Sequence, residues 1–267
     1  EVVFPPRAEF SRWRSQSGLP ILILRTNHFA SWLLVLIRLS GINSDSWWGR
    51  FVRFPLQWMP KRLVLPIFSG PLLGWKWRVG SGVPGCWLGT YEWDKQQAFR
   101  PWVGSGMTVY DIGAHAGFYT LWFARLVGPQ GRVCAFEPLP ENQDRLSDHV
   151  ALNRASWVTV VKGAVSDRMG EATFDVGPTT YRGSLSSGKK EGGLNVRTWS
   201  LDQGREEQGW PFPDVVKMDV EGEEVKALQG AAEIIKRLHA VWFVELHGET
   251  QRKACVKIFS EAGYRVT

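Results

Sequence analysis

Five acids and one histidine stand where short apolar runs of this 267-residue sequence end. Asp111 lies in Thr108-Val-Tyr-Asp-Ile112, directly before Gly113-Ala-His-Ala-Gly117, and Glu137 closes Arg132-Val-Cys-Ala-Phe-Glu137. Asp219 closes Asp214-Val-Val-Lys-Met-Asp219 with Glu221 two positions on, and Glu245 closes Val241-Trp-Phe-Val-Glu245 with His247 two positions on. Ligands of open α/β sheets sit outside the carboxyl ends of the strands, so parallel strands at these runs would gather all six side chains at one mouth. His247 titrates near neutrality and is the first candidate to remove a proton from a substrate, with Glu245 or Glu221 orienting it. Lys217, two residues before Asp219, faces the same side of its strand and can tether an acid. Plainer roles compete: Glu221 and Gly222 can simply begin a helix running from Glu223 to Leu238, and His247 can be a loop histidine satisfying a carbonyl. The carboxylates with His247 can also ligate a divalent cation, but no compact ligand spacing demands one, and no metal is expected.

The elements that must position these groups begin with a β-α-β unit. Gly113 and Gly117 admit backbone angles closed to other residues and let the main chain approach a ligand. Phe118, Leu121, Trp122, Ala124 and Leu126 give a helix its apolar face, and Gly128-Pro129 stops it before the second strand. An acid at that strand's end, Glu137, can accept hydrogen bonds from both hydroxyls of a ribose. The loop reads Gly113-x-x-x-Gly117, lacking the middle glycine that admits a pyrophosphate, and no phosphate-binding G-x-x-x-x-G-K-[ST] run is present. A ligand with a ribose and no phosphate fits, and S-adenosylmethionine meets that description. Asp111 could then orient the cofactor's amino group or its water.

Six ordered motifs carry a resemblance: Asp111-Ile-Gly-Ala-His-Ala-Gly117, Phe136-Glu-Pro138, Leu152-Asn153, Gly163-Ala-Val-Ser-Asp167, Lys217-Met-Asp-Val-Glu-Gly222 and His247-Gly248. Together they resemble the FkbM-type branch of class I S-adenosylmethionine-dependent methyltransferases over roughly Gly85 to Val266. The resemblance implies an α/β fold of Rossmann-like type, a mostly parallel sheet with helices on both faces. It also implies methyl transfer, commonly to an oxygen of natural products or sugars. Under it, the cofactor-binding set is Tyr91, Asp111, Gly113, Ala114, His115, Gly117, Phe118, Glu137, Pro138, Ala164, Ser166, Asp167 and Asp219. Ser166 and Asp167 would read the adenine edge, His115 would line the pocket, and Asp219 would lie near the sulfonium or the amino group. For Tyr91 the alternative is capping of the helix that follows, and for Ser166 and Asp167 an ordinary β-turn. The catalytic candidates remain His247, Glu245, Asp219 and Glu221. The acceptor expected is a hydroxyl of a small natural product, sugar or lipid-like molecule, with nitrogen or carbon acceptors, a non-catalytic cofactor-binding module and a nicotinamide oxidoreductase as the competing readings.

Composition suits a folded chain: 44% of residues are hydrophobic and 22% charged. Residues 1–110 carry 13 Lys and Arg against 5 Asp and Glu, a balance of +8, whereas the remainder carries 19 against 21, a balance of −2. The basicity belongs to an apolar, Trp-rich extension over 1–84, expected to be helical, ahead of a catalytic domain over 85–267. Trp13, Trp32, Trp47, Trp48, Trp58, Trp75, Trp77, Trp87, Trp93 and Trp102, in this extension or just after it, are interleaved with Arg and Lys, which fits a membrane-surface face, a homodimer contact, a lid over the substrate, or packing against the catalytic domain. No apolar run reaches the roughly 20 residues that span a bilayer, and no signal peptide is recognised. Basic and aromatic residues are too scattered for a nucleic-acid module. Cys86, Cys134 and Cys255 suggest neither a disulfide framework nor a zinc site, and a reducing cytoplasm is the expected location, with peripheral membrane association as the alternative.

Between these regions Trp75–Val79 and Cys86–Gly89 read as a hairpin, followed by a short helix through Phe99. Glu141–Asn153 and Gln251–Ala262 read as helices, Val158–Val161 as the third parallel strand, and Glu171–Asp175 and Asn195–Trp199 as extra strands. The Gly- and Ser-rich span Gly177–Gly193 reads as a flap. Tyr264–Thr267 supplies one strand and then the sequence stops, without the closing antiparallel strand many relatives add. Either the extra strands complete the sheet on its other edge or the C-terminus has been trimmed.

Overall fold

A computed structural model describes residues 2–4, 59–176, 183–186 and 193–267. Of the extension over 1–84, expected to be helical, residues 1 and 5–58, with Trp13, Trp32, Trp47, Trp48 and Trp58, lie outside the described residues; the described parts carry short strands at Val2–Phe4, Val64–Pro66 and Lys76–Arg78, with Trp77 buried. In chain order the elements are β1 (Val2–Phe4), β2 (Val64–Pro66), β3 (Lys76–Arg78), α1 (Pro84–Leu88), α2 (Trp93–Phe99), β4 (Thr108–Ile112), α3 (Phe118–Val127) and β5 (Arg132–Glu137). There follow α4 (Pro140–Leu152), β6 (Val158–Lys162), β7 (Ala164–Val165), β8 (Gly170–Val176), β9 (Gly183–Ser186), β10 (Leu194–Trp199) and α5 (Leu201–Gln208). The chain ends with β11 (Val215–Met218), α6 (Glu224–Gln229), α7 (Ala232–Lys236), β12 (Val241–Val244), α8 (Glu249–Glu261) and β13 (Arg265–Val266). Contacts divide these into two compact units: residues 102–150 and 155–267 together with β1, and residues 59–101 with 151–154.

The larger unit is built on a seven-stranded sheet in the order β13-β1-β12-β11-β4-β5-β6. Strands β12, β11, β4, β5 and β6 are mutually parallel, and β1 runs antiparallel to both its neighbours. The antiparallel position that the end of the sequence does not fill is thus taken by Val2–Phe4, and the extra strands do not complete this sheet. They form a separate four-stranded one, β7-β10-β8-β9. Four residues of the expected flap, Gly183–Ser186, are its edge strand and pair with β8; the rest of that span, apart from Gly193, lies outside the described residues.

Side-chain alternation along the parallel strands explains where the core sits. Tyr110 and Ile112, Cys134 and Phe136, Val216 and Met218, and Trp242 and Val244 share one apolar cluster with Leu201 of α5, Ala227 and Leu228 of α6, Ile234 of α7 and Phe259 of α8. On the other face, Ala135 packs in a cluster with Leu146 of α4. Asp111 and Lys217 also belong to this second set of alternate positions, and both are buried there.

Two local expectations are corrected. The helix expected over Glu223–Leu238 is broken into α6 and α7 at Gly230 and Ala231, and only glycine fits at 230, where a Cβ would collide with the carbonyl oxygen of Ser166. The expected hairpin does not form in the smaller unit: β3 pairs instead with the upstream β2, in the register Leu65 to Trp77, and Cys86–Leu88 belong to α1. Proline at the start of α1 costs no hydrogen bond and presets the helical φ, which the strand reading overlooked. Cys86, Cys134 and Cys255 are buried free thiols. Among the described residues no helix is long and apolar enough to cross a membrane.

Candidate active site

The carboxyl ends of β4, β5, β11 and β12 bring Asp111, Glu137, Asp219, Glu245 and His247 to one end of the sheet. The glycine loop there is packed by its own chain. The N–H groups of Gly113 and Ala114 donate to the carbonyl of Phe136, at 3.0 and 2.9 Å, and that of His115 donates to Oε2 of Glu137 at 2.8 Å. Gly113 has φ +75°, and a Cβ on it would lie 1.9 Å from the carbonyl oxygen of Asp219. A Cβ on Gly117 would meet Leu146 at 2.4 Å. Close approach of β11 and α4 therefore demands these glycines before any ligand does.

Glu137 is 4% exposed. Its Oε1 accepts from the N–H of Leu139 at 3.0 Å and from Nδ2 of Asn142 at 3.2 Å. With the His115 bond, three donors fix the carboxylate and leave acceptor capacity for a further donor. Burial pushes its pKa up, partly offset by these hydrogen bonds and by the charge of Lys217. Pro138, next in sequence, uses its carbonyl to accept from Gln143, and Ala114 and Phe118 are buried beside the loop.

Asp111 has no exposed surface. Its Oδ2 accepts from the Thr120 hydroxyl at 2.6 Å, and its Oδ1 lies 3.4 Å from Nζ of Lys217. Lys217 also donates to the Gly113 carbonyl at 2.8 Å and stands 4.0 Å from Oδ2 of Asp219. One buried ammonium thus links two strand-end carboxylates to the glycine loop.

A second cluster surrounds His247. Its Nδ1 is 2.8 Å from Oε1 of Glu224, and its Nε2 is 3.5 Å from Oε2 of Glu221. One ligand-type atom from each of Asp219, Glu221 and His247 lies within 4.8 Å of the others. Burial lowers the histidine's pKa, but the bond to Glu224 and the charges of Glu221, Glu224 and Asp219 outweigh it and raise the value overall. Glu221 takes φ +52° and is followed by Gly222 at +103°, a turn that carries the chain from β11 into α6. Glu245 donates its N–H to the carbonyl of Met218, tying β12 to β11.

The sequence reading did not single out Glu224, which has no exposed surface and also accepts from the N–H of Gly222 at 3.0 Å. A signal was present: Glu224 stands three and four residues before the buried Ala227 and Leu228, on the inward face of α6. Thr120 and Asn142, which hold Asp111 and Glu137, were missed as well. Ser166 donates its hydroxyl to Oδ1 of Asp167 at 3.1 Å and its N–H to the Trp199 carbonyl, and Ala164 is buried in β7. Tyr91 belongs to the smaller unit, between α1 and α2, where its carbonyl accepts from Nε2 of Gln96 at 2.7 Å.

A mostly parallel sheet with a glycine loop after β4 and a buried acid ending β5 defines a Rossmann-like fold. Residues 111–266 match the family model described as the Methyltransferase FkbM domain, and the chain belongs to that family. The hexuronic acid methyltransferase AglP of Haloferax volcanii is 30% identical over 155 residues, 58% of this chain and 62% of that protein. The methyltransferase sdnD of Sordaria araneosa is 26% identical over 189 residues, 59% of this chain and 68% of that protein. A crystal structure of a methyltransferase FkbM from Methylobacillus flagellatus is 16% identical, covering 79% of this chain and 53% of that one with a TM-score of 0.42.

Proposed function

We propose that the protein transfers the methyl group of S-adenosylmethionine to an oxygen of a small hydroxylated acceptor, a sugar, natural product or lipid-like molecule. The observation that carries this reading is the gathering of Asp219, Glu221 and His247 within 4.8 Å, at the ends of two adjacent parallel strands. Membership in the FkbM methyltransferase family supports the cofactor and the reaction. A relative named for hexuronic acid supports the sugar class among the acceptors.

Methyl transfer is an in-line displacement at a carbon bound to a positive sulfur. The protein's main task is to align the acceptor oxygen with that bond and exclude water, which can contribute roughly 7–11 kcal/mol in favourable cases. In this reading Glu137 takes the ribose hydroxyls with its remaining acceptor capacity, and its three N–H donors preset its orientation. The Asp111–Lys217–Asp219 chain fixes the loop and presents Asp219 to the cofactor's positive end. The cluster around His247 handles the acceptor's oxygen and its proton.

The test uses the purified full chain. Titration calorimetry with S-adenosylhomocysteine should register binding, and incubation with S-adenosylmethionine and a panel of hydroxylated acceptors that includes hexuronic acids should yield a product heavier by one methylene. Absence of binding overturns the reading, and binding without turnover on any acceptor favours a non-catalytic cofactor-binding module.

A further inference from the structure

We propose that Asp219, Glu221 and His247 form a binding site for one divalent transition-metal cation, with Glu224 as the buried carboxylate that orients the histidine ligand. The cation site stands on its own geometry; only the identity of what fills its open positions rests on the proposed methyl transfer.

Atoms bound to one cation at about 2.1 Å stand roughly 3–3.5 Å apart when their bonds meet at right to tetrahedral angles. Nε2 of His247 and Oε2 of Glu221 are 3.5 Å apart, and an atom of Asp219 falls within 4.8 Å of both. A small side-chain adjustment would close the three onto a common centre. One imidazole nitrogen with two carboxylate oxygens is a donor set for Mn²⁺, Fe²⁺ or Zn²⁺, more than for Mg²⁺ or Ca²⁺, which favour oxygen alone.

Metal-bound imidazoles almost always engage a carboxylate, carbonyl or water through the other ring nitrogen, which sets the tautomer and aims the ligating lone pair. Here Oε1 of Glu224 lies 2.8 Å from Nδ1, and the same oxygen accepts from the N–H of Gly222 at 3.0 Å. If Nδ1 carries the proton, the lone pair of Nε2 faces the oxygen of Glu221, a repulsive pairing unless a proton or a cation lies between them.

Four carboxylates, Asp111, Asp219, Glu221 and Glu224, stand against the ammonium of Lys217 and at most one imidazolium. The nearby Glu223 is matched by Lys226 at 2.8 Å and does not alter the count. A ligating imidazole is neutral, so with a cation bound three negative charges stand in excess, and Oε2 of Glu224 is buried without a hydrogen-bond partner. A divalent cation offsets two of the three. Three protein ligands leave coordination positions open, which suits an acceptor hydroxyl or carboxylate oxygen and water.

The test takes the full-length chain stripped with a chelator and titrates it with MnCl₂, following free Mn²⁺ by its electron paramagnetic resonance signal. Wild type should remove one Mn²⁺ per chain, whereas Glu221→Gln and His247→Gln should bind at least tenfold more weakly. His239→Gln, which alters a histidine paired with Asp214 at the opposite end of the sheet, should bind like wild type. The Glu221→Gln change is isosteric and keeps the comparison available if the histidine variant fails to fold. An undiminished free Mn²⁺ signal at millimolar concentration, or equal depletion by wild type and both ligand variants, overturns the site. Calorimetry with S-adenosylhomocysteine on the same samples reports separately on the methyl-transfer reading.

Discussion

Nδ1 of His247 lies 2.8 Å from Oε1 of Glu224, a carboxylate with no exposed surface at the first turn of α6. Truncation to Glu224→Ala strands both the imidazole and the N–H of Gly222 without an acceptor. Both donors are part-exposed and water can replace the acceptor in part, so the expected cost is about 1 kcal/mol in total, and Glu224→Gln, which keeps an acceptor oxygen, should retain most of that stability. Urea denaturation midpoints compare the two, and an alanine variant as stable as wild type would contradict a structural dependence on this contact.

Gly113 and Gly209 separate strain from collision. Both have positive φ, +75° and +69°, but a Cβ at Gly113 meets the Asp219 carbonyl whereas nothing lies within 4 Å of one at Gly209. Gly209→Ala should cost about 1 kcal/mol from the left-handed backbone alone. Gly113→Ala should add an overpacking penalty of about 1–3 kcal/mol and shift the start of the turn after β11. Thermal melts of the pair decide it: equal losses would mean the loop and β11 separate freely.

Glu137 should titrate above its ordinary value of 4.5, because burial opposes the charged form more than its donors favour it. Between 4.5 and the raised value the folded chain keeps a proton that the unfolded chain has released. This group's contribution to stability therefore falls as pH rises through that window. Carbon-13 spectra of glutamate-labelled protein, with Glu137→Gln used to assign the resonance, read the value directly. A midpoint at or below 4.5 refutes the prediction. The same variant should bind S-adenosylhomocysteine at least tenfold more weakly if the carboxylate holds the ribose.

Val3 is buried in the cluster it shares with Tyr110, Trp242 and Tyr264. Val3→Ala removes two buried methyl groups and should cost about 2 kcal/mol, at the usual worth of a buried methylene. An unchanged denaturation midpoint in that variant would show that β1 contributes little to the sheet.

The β-α-β unit from Thr108 to Glu137 was legible in the sequence because its signals are local: an apolar run, two glycines, a periodic helix and a Gly-Pro stop. So were β6, β8, β10, β11 and β12. What escaped was pairing at a distance. Nothing in Val2–Phe4 says that it will lie between β12 and β13, and nothing in Lys76–Arg78 prefers β2 over a downstream partner. The site divides in the same way. Asp219 and His247 are candidates read from strand ends, whereas Glu224 sits beside Glu223 in an acidic stretch, where its spacing to Ala227 and Leu228 is the one sequence cue that separates the buried acid from the one that pairs with Lys226.

The place of β1 has a bearing on how the chain is assembled. Val2 and Thr267 exchange two main-chain hydrogen bonds, at 3.1 and 3.0 Å, so the last strand is moored through residues more than 260 positions away. Residues of β1 must wait for those of β13, made far later, before this edge can be stitched. That long loop closure makes the edge a late, slow event in folding.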